Sequence, residues 1–291
     1  MAKLLIILPA HNEEEYLATC LESFVAQSRK PDLLVIVDDG SSDDTAAIGS
    51  RFAQQHPWIQ VVQKTDSEQV HRPGAKVIQC FNYGLEQVQE QSGRISETWD
   101  FIGKFDADIC LPDNYFEEVL NRMESDPKVG LCSGLMYVRS GESWVYEPIA
   151  DKSHVRGPVK LYRKSCFEAI GGLAESIGWD TADTLTARFK GYTVETLPEL
   201  TVRHLRPTAA AYSASNARKQ GEAIYKLRYG WALGILAALK MAWKRRSPGS
   251  LWGYAQGAYS AWKAGAKRLL SPEAGKFSRK WRWNQILKKL F

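Results

Sequence analysis

The chain has 291 residues, 44% hydrophobic and 24% charged, enough apolar side chain to bury a full core; this excludes a disordered chain and fits one large domain or one domain with an appendage. Its five cysteines (Cys20, Cys80, Cys110, Cys132, Cys166) are scattered, with no C-x-x-C pair, which excludes a disulfide framework and a cysteine zinc site and points to buried thiols in a reducing, cytoplasmic compartment. The net charge of +5 hides an asymmetry: residues 1–202 carry 19 basic and 31 acidic side chains, whereas residues 203–291 carry 19 basic ones, only Glu222 and Glu273 as acids, and six of the ten tryptophans.

The apolar run Leu4–Leu8 is too short for a signal peptide and lacks a cleavage site, so it reads as a first strand. Glu13–Ala26 follows as a helix, with Leu17, Leu21, Phe24 and Val25 at helical spacing and Asn12 or His11 as its cap. Leu33–Val37 is a second strand, Asp43–His56 a helix, Ile59–Lys64 a third strand and Ala75–Gln91 a helix. A fourth strand is expected at Phe101–Phe105, a helix over Asn114–Ser125, a strand at Val129–Tyr137, a polar loop near 140–158 and a helix from Arg163. Strands alternating with helices predict an α/β domain, a mainly parallel sheet flanked by helices. No G-x-G-x-x-G follows the first strand and no P-loop motif occurs, so those two nucleotide folds are excluded.

Acids stand at the strand ends instead, where open α/β sheets bind ligands. Pro9-Ala10-His11-Asn12-Glu13-Glu14 closes the first strand and Asp38-Asp39-Gly40-Ser41-Ser42-Asp43-Asp44-Thr45 the second. The second motif also reads as a plain turn capped by Ser42 or Asp43. An ionised carboxylate accepts hydrogen bonds from a base N–H or ribose hydroxyl but repels phosphate, which suits this pair to a nucleoside. Asp106-Ala107-Asp108 closes the fourth strand, and a D-x-D pair suits a hard divalent cation that neutralises a leaving diphosphate.

In this order the motifs resemble glycosyltransferase family 2, and the resemblance runs over about residues 3–206. It includes Cys166-Phe167-Glu168-Ala169-Ile170-Gly171-Gly172-Leu173 and Gly178-Trp179-Asp180-Thr181-Ala182-Asp183 with Gly191-Tyr192. It implies a GT-A fold and an inverting hexosyl transfer from a nucleotide sugar, with UDP as the default base and GDP as the other, using Mg2+ or Mn2+. Carried over by position, Pro9, Ala10 and Glu13 would line the base and ribose pocket and Asp39 would bond the base. Asp106 would approach the ribose or the metal, Asp108 would be the main metal ligand, and His204 would complete the coordination. A carboxylate must take the acceptor's proton. Family members carry an acidic pair where this chain has Asp180-Thr181-Ala182-Asp183, which leaves the base between Asp183 and Asp180. Arg72 and Lys76 lie where the family has a donor-proximal segment and would reach the diphosphate, unless they are simply exposed charges. Trp144 and Tyr146 offer rings for stacking on a sugar or for packing. The chain lacks the Q-x-x-R-W motif of processive synthases, so a single transfer is expected. The rival classes are a sugar nucleotidyltransferase, whose Gly-rich basic loop is missing after Leu8, and a non-catalytic binding protein on the same scaffold.

The catalytic domain is expected over 1–210 and a helical appendage over 211–291. A helix over Ala223–Trp243 holds an 11-residue apolar run, whereas a membrane span needs about 20. With Lys244-Arg245-Arg246 and later tryptophans amid Lys and Arg, the appendage suits interfacial helices on an anionic cytoplasmic leaflet, bringing a lipid-linked or cell-envelope glycan acceptor within reach. Packing onto protein is the competing reading; nucleic acid is not expected, because no nucleic-acid motif accompanies the charge.

Overall fold

The computed structural model describes residues 2–64, 75–92, 99–149, 151–206, 214–244 and 247–290. Its first half is built on β1 (Leu4–Ala10), β2 (Leu33–Asp38), β3 (Ile59–Gln63) and β4 (Phe101–Phe105), which pair in parallel in the order β3-β2-β1-β4. Every residue of β1 is buried, and successive side chains point to opposite faces. Leu4, Ile6 and Leu8 join Leu17, Leu21 and Phe24 of α1 (Leu17–Val25) and Phe116 and Leu120 of α4 (Tyr115–Ser125). Leu5 and Ile7 join Ile78, Phe81 and Leu85 of α3 (Lys76–Ser92) on the other face. A strand covered on both sides must be apolar throughout, which is why the Leu-Leu-Ile-Ile-Leu run works only in the sheet interior. Each such side chain contributes about 1.5–3 kcal/mol.

The remaining strands make the sheet mixed. The residues between are β5 (Ile109–Cys110), β6 (Val129–Ser140), β7 (Ser143–Tyr146), β8 (Val159–Arg163) and β9 (Thr193–His204). β8 is antiparallel to β4 and β6, β9 runs parallel to β6, and β5 is antiparallel to β9 with Ile109 opposite His204. That last pairing carries the end of the fourth strand to the end of the ninth. α2 (Thr45–Gln55), α5 (Lys164–Ile170) and α6 (Trp179–Phe189) complete this part.

Four helices follow: α7 (Ala214–Lys226), α8 (Gly230–Lys244), α9 (Ser250–Lys263) and α10 (Pro272–Leu290). α7 and α9 meet backbone to backbone: a Cβ on Gly257 would stand 1.9 Å from the Arg218 carbonyl oxygen, and one on Gly221 2.1 Å from that of Tyr254. Only glycine permits that approach. Ala223 of α7 and Leu227 just beyond it pack with Leu270 and Ala274 against Ala182 and Leu185 of α6, fixing the helices to the sheet half.

Several expectations shift. The first helix begins at Leu17 rather than Glu13, because Asn12 turns left-handed (φ 54°) and does not cap it. The single helix expected over 223–243 is broken, since Arg228 (φ 53°) and Gly230 (φ 73°) reverse the chain between α7 and α8. The loop expected near 140–158 contains β7, which forms a hairpin with β6. β8 and β9 have charged or proline-interrupted sequences and gave no strand signal.

Candidate active site

The two loops at the ends of β1 and β2 are stitched together. Ser41 Oγ accepts from the Asn12 N–H at 3.0 Å, Asn12 Oδ1 from the Ser42 N–H at 2.9 Å, and Thr45 Oγ1 from the Glu13 N–H at 2.7 Å. His11 Nδ1 donates to the Asp39 carbonyl at 2.8 Å, and the Asp39 N–H to the Ala10 carbonyl at 2.9 Å. This brings Pro9, Ala10 and Asp39 to one rim. The Asp39 side chain is buried between Lys64 Nζ at 3.3 Å and Lys76 Nζ at 3.1 Å. Lys76 therefore stands against the carboxylate expected to read the base rather than in open solvent. Arg72 lies outside the described residues.

The second cluster forms where β4, β5 and β9 end. The Leu205 N–H donates to the Asp108 carbonyl at 2.8 Å, which locks the two chain ends together. His204 Nε2 lies 3.5 Å from Asp108 Oδ2, and its Nδ1 lies 3.4 Å from Glu147 Oε2. Burial opposes the imidazolium, but both carboxylates bond it and raise its pKa to about 9. Arg156 pairs with Glu147 from the other side. Asp108 Oδ1 is buried without a hydrogen-bond partner, a costly state that a cation would relieve. Glu13 belongs to this cluster as much as to the nucleoside rim. Burial and the charges of Asp108 and Asp106 raise its pKa to about 7, while Arg206, which bonds its carboxylate and sits 3.8 Å from Asp108, opposes the rise.

Among the described residues no three His, Cys, Asp or Glu side chains are arranged to hold a metal ion by themselves. Asp108 and His204 nevertheless fit a cation of the magnesium type, which takes one or two protein ligands and fills its other positions with water and substrate phosphate. Asp106 is drawn aside: its carboxylate pairs with the buried Lys104 and is 29% exposed.

The third group separates the two candidate bases. Asp183 is buried; Lys160 Nζ donates to its oxygens at 2.9 and 2.6 Å, and the Tyr162 hydroxyl bonds it as well. Asp180, one turn earlier on α6, has a 40% exposed side chain 3.9 Å from His154 Nε2. Partial burial opposes its ionisation, but His154, Lys160 and Lys104 hold it at about 2. Trp179 lies under both lysines, with Lys104 Nζ 5.4 Å and Lys160 Nζ 5.2 Å from its ring. Sequence reasoning missed Glu147, Lys104 and Lys160. A buried lysine looks like any other in a sequence, and Lys160 stands in a strand that no local pattern marks. Trp144 and Tyr146 lie under Arg203 and Lys152 respectively.

The strand ends thus carry two acidic clusters, one around Asp39 beside the β1 and β2 loops and one, with an aspartate–histidine pair, at the junction of β5 and β9. The profile of glycosyl transferase family 2 matches residues 5–172, and the chain belongs to that family. The uncharacterized glycosyltransferase YibD of Escherichia coli is 26% identical over 144 residues, 49% of this chain and 37% of that protein. The putative glycosyltransferase EpsH of Bacillus subtilis is 25% identical over 175 residues, 60% of this chain and 45% of that protein. The chain thus spans less than half the length of these relatives. Among solved structures, the mannosyltransferase PcManGT of Pyrobaculum calidifontis, in complex with GDP-Man and Mn2+, aligns over 97% of this chain and 80% of its own (TM-score 0.58, 16% identity). TarS of S. aureus in complex with UDP-GlcNAc aligns over 82% of this chain and 66% of its own (TM-score 0.57, 17% identity). The fold is GT-A, shared with these glycosyltransferase structures.

Proposed function

We propose that the enzyme transfers a single hexosyl group, with inversion, from a nucleoside-diphosphate sugar to an acceptor hydroxyl. The observation that carries this reading is Asp108, with one buried, unpartnered oxygen and His204 3.5 Å from the other. Mg2+ or Mn2+ held by this pair would neutralise the diphosphate as it leaves. Asp106 is a reserve ligand, available if Lys104 releases it. Asp39 accepts hydrogen bonds from the base, with Lys64 and Lys76 holding its carboxylate in place and Lys76 turning to the diphosphate when the donor binds. Pro9, Ala10 and Glu13 wall the base and ribose. UDP is the default base and GDP the alternative, since structures bound to each share the fold.

Asp180 is the better general base. Its carboxylate is ionised and accessible, whereas both oxygens of Asp183 are occupied by Lys160 and Tyr162. The acceptor hydroxyl gives its proton to Asp180 as its oxygen attacks the anomeric carbon, and the bond to the diphosphate breaks on the opposite side. Lys160, which also donates to the Asp180 carbonyl at 2.7 Å, holds this turn of α6 in place. The catalytic domain takes in about 1–210 and the appendage 211–291; the acceptor is a lipid-linked or cell-envelope glycan at the cytoplasmic face of a membrane.

Calorimetry with a panel of UDP- and GDP-sugars, with and without Mn2+, tests the site in the wild type and in Asp108→Ala. One donor should bind only with the cation, and the variant should lose that binding. A folded protein that binds no donor more tightly with the cation would overturn the metal assignment.

A further inference from the structure

No helix among the described residues is long and apolar enough to cross a membrane. α8 and α9 nonetheless turn their largest apolar side chains outward. Trp231 is 83% exposed and Trp243 86%, with Ile235 and Leu239 exposed between them at four-residue steps, so one stripe runs the length of α8. The other side of that helix, with Leu233 and Gly234, is buried. On α9, Trp252 and Trp262 form a second outward stripe, while Tyr254, Gly257 and Ala261 face inward. A helix that buries alanine and glycine and exposes tryptophan has its apolar face toward something other than its own core.

Charge identifies the occupant. Residues 223–272 contain nine Lys or Arg and no Asp or Glu, so the stripes lie in a wholly cationic stretch. Tryptophan prefers the headgroup level of a bilayer, and each Lys or Arg near an anionic surface adds to the attraction. We infer that the outer faces of α8 and α9 dock in the plane of an anionic lipid leaflet, with Trp231, Trp243, Trp252 and Trp262 as anchors. α8, at 15 residues, lies along the interface as a surface helix does.

The fold ties this surface to the chemistry. Gly178, the residue before α6, is left-handed (φ 86°), and a Cβ there would lie 3.3 Å from Ala223 Cβ and 3.5 Å from Leu227 Cδ1. α7 thus rests on the turn that presents Trp179 and Asp180, and through its glycine seam it carries α9. The docked helices therefore fix the height and tilt of the Asp180 edge above the lipid, where a membrane-borne acceptor would arrive. The inference rests on the proposed reaction only for that acceptor.

Co-sedimentation with phosphatidylglycerol–phosphatidylcholine vesicles, without donor or metal, tests it against phosphatidylcholine alone. The wild type should pellet with the anionic vesicles, release at high salt and show blue-shifted tryptophan emission. Replacing Trp231, Trp243, Trp252 and Trp262 together with alanine should lower partitioning at least about tenfold, while donor binding, measured by calorimetry, stays unchanged as the control for folding. A Lys240→Glu, Lys263→Glu variant should lose the preference for anionic lipid. Wild type left in the supernatant, or four-tryptophan variant protein that still pellets, overturns the inference. So does a wild-type dimer in light scattering that the tryptophan variant converts to monomer, which would assign the face to a second copy of this chain.

Discussion

The two halves of the molecule treat their large and small side chains in opposite ways. In the sheet half Phe24, Phe81, Phe101, Phe105 and Tyr115 are almost fully buried, and acids collect at the strand ends. In the helical half Ala217, Ala223, Ala242, Ala261 and Ala274 are buried, and tryptophans face outward. The sheet half spends its bulk on a rigid core, which holds Asp39, Asp108 and Asp180 at fixed positions on its rim. The helical half packs thinly through alanine and glycine and keeps its bulk for a surface. One half is built around an acidic rim and the other around a face.

Breaking each half separately sharpens the contrast. The largest effect is expected on α6, where Asp180→Asn should leave the melting temperature near wild type but reduce turnover by roughly 10²–10⁴-fold, as for loss of a general base. Asp183→Asn should do the reverse first: it strands the buried Lys160 charge, and urea unfolding should show a loss of about 3–5 kcal/mol. Equal loss of turnover at full stability in Asp183→Asn would return the base to that residue.

The next effect is a pH dependence at the proposed metal pair, Asp108 and His204. In the metal-free enzyme the His204 pKa is raised to about 9, so its contacts with Asp108 and Glu147 contribute stability below the unfolded value and lose it as pH rises through about 9. A cation needs the neutral ring, and binding below that pH expels one proton. Mn2+ affinity measured by calorimetry should therefore climb about tenfold per pH unit from neutrality toward pH 9 and then level off. His204→Gln should flatten the profile.

The smallest effect belongs to the helical half. Gly257→Ala places a methyl group against the Arg218 carbonyl and should cost about 1–3 kcal/mol. Hydrogen exchange should show faster opening across α7 and α9 while β1 and β2 keep their protection. Uniform loss over both halves would mean that they unfold as one unit.

Much of this contrast is legible in the sequence, for reasons that differ by element. β1 and β2 are apolar on both faces, β4 is apolar apart from Gly103 and Lys104, and turn residues bound all three, so periodicity and punctuation agree. β9 mixes charged residues, Pro198 and a register irregularity against β6, so no local pattern marks it, although it delivers His204 to Asp108. Asp39, Asp108 and Asp180 are readable because each ends a strand or starts a helix. Glu147 is not: it comes from a hairpin that only the β6–β7 pairing folds toward His204. The choice between Asp180 and Asp183 depends on Lys160, whose burial is a tertiary fact. The break between α7 and α8 hangs on left-handed Arg228, a residue with no sequence preference for that conformation.

The division of charge along the chain also makes the folded molecule an electric dipole. The acid surplus of residues 1–202 lies in the sheet half, and the basic surplus of residues 203–291 lies mainly in the helices attached to it. Near a negative sheet of charge such a dipole feels a torque before any contact forms, turning the basic helices toward it. The torque acts only within about a Debye length, roughly 8 Å in physiological salt. Orientation is thus chosen in the last few ångströms of approach, and dilute buffer would extend that range severalfold.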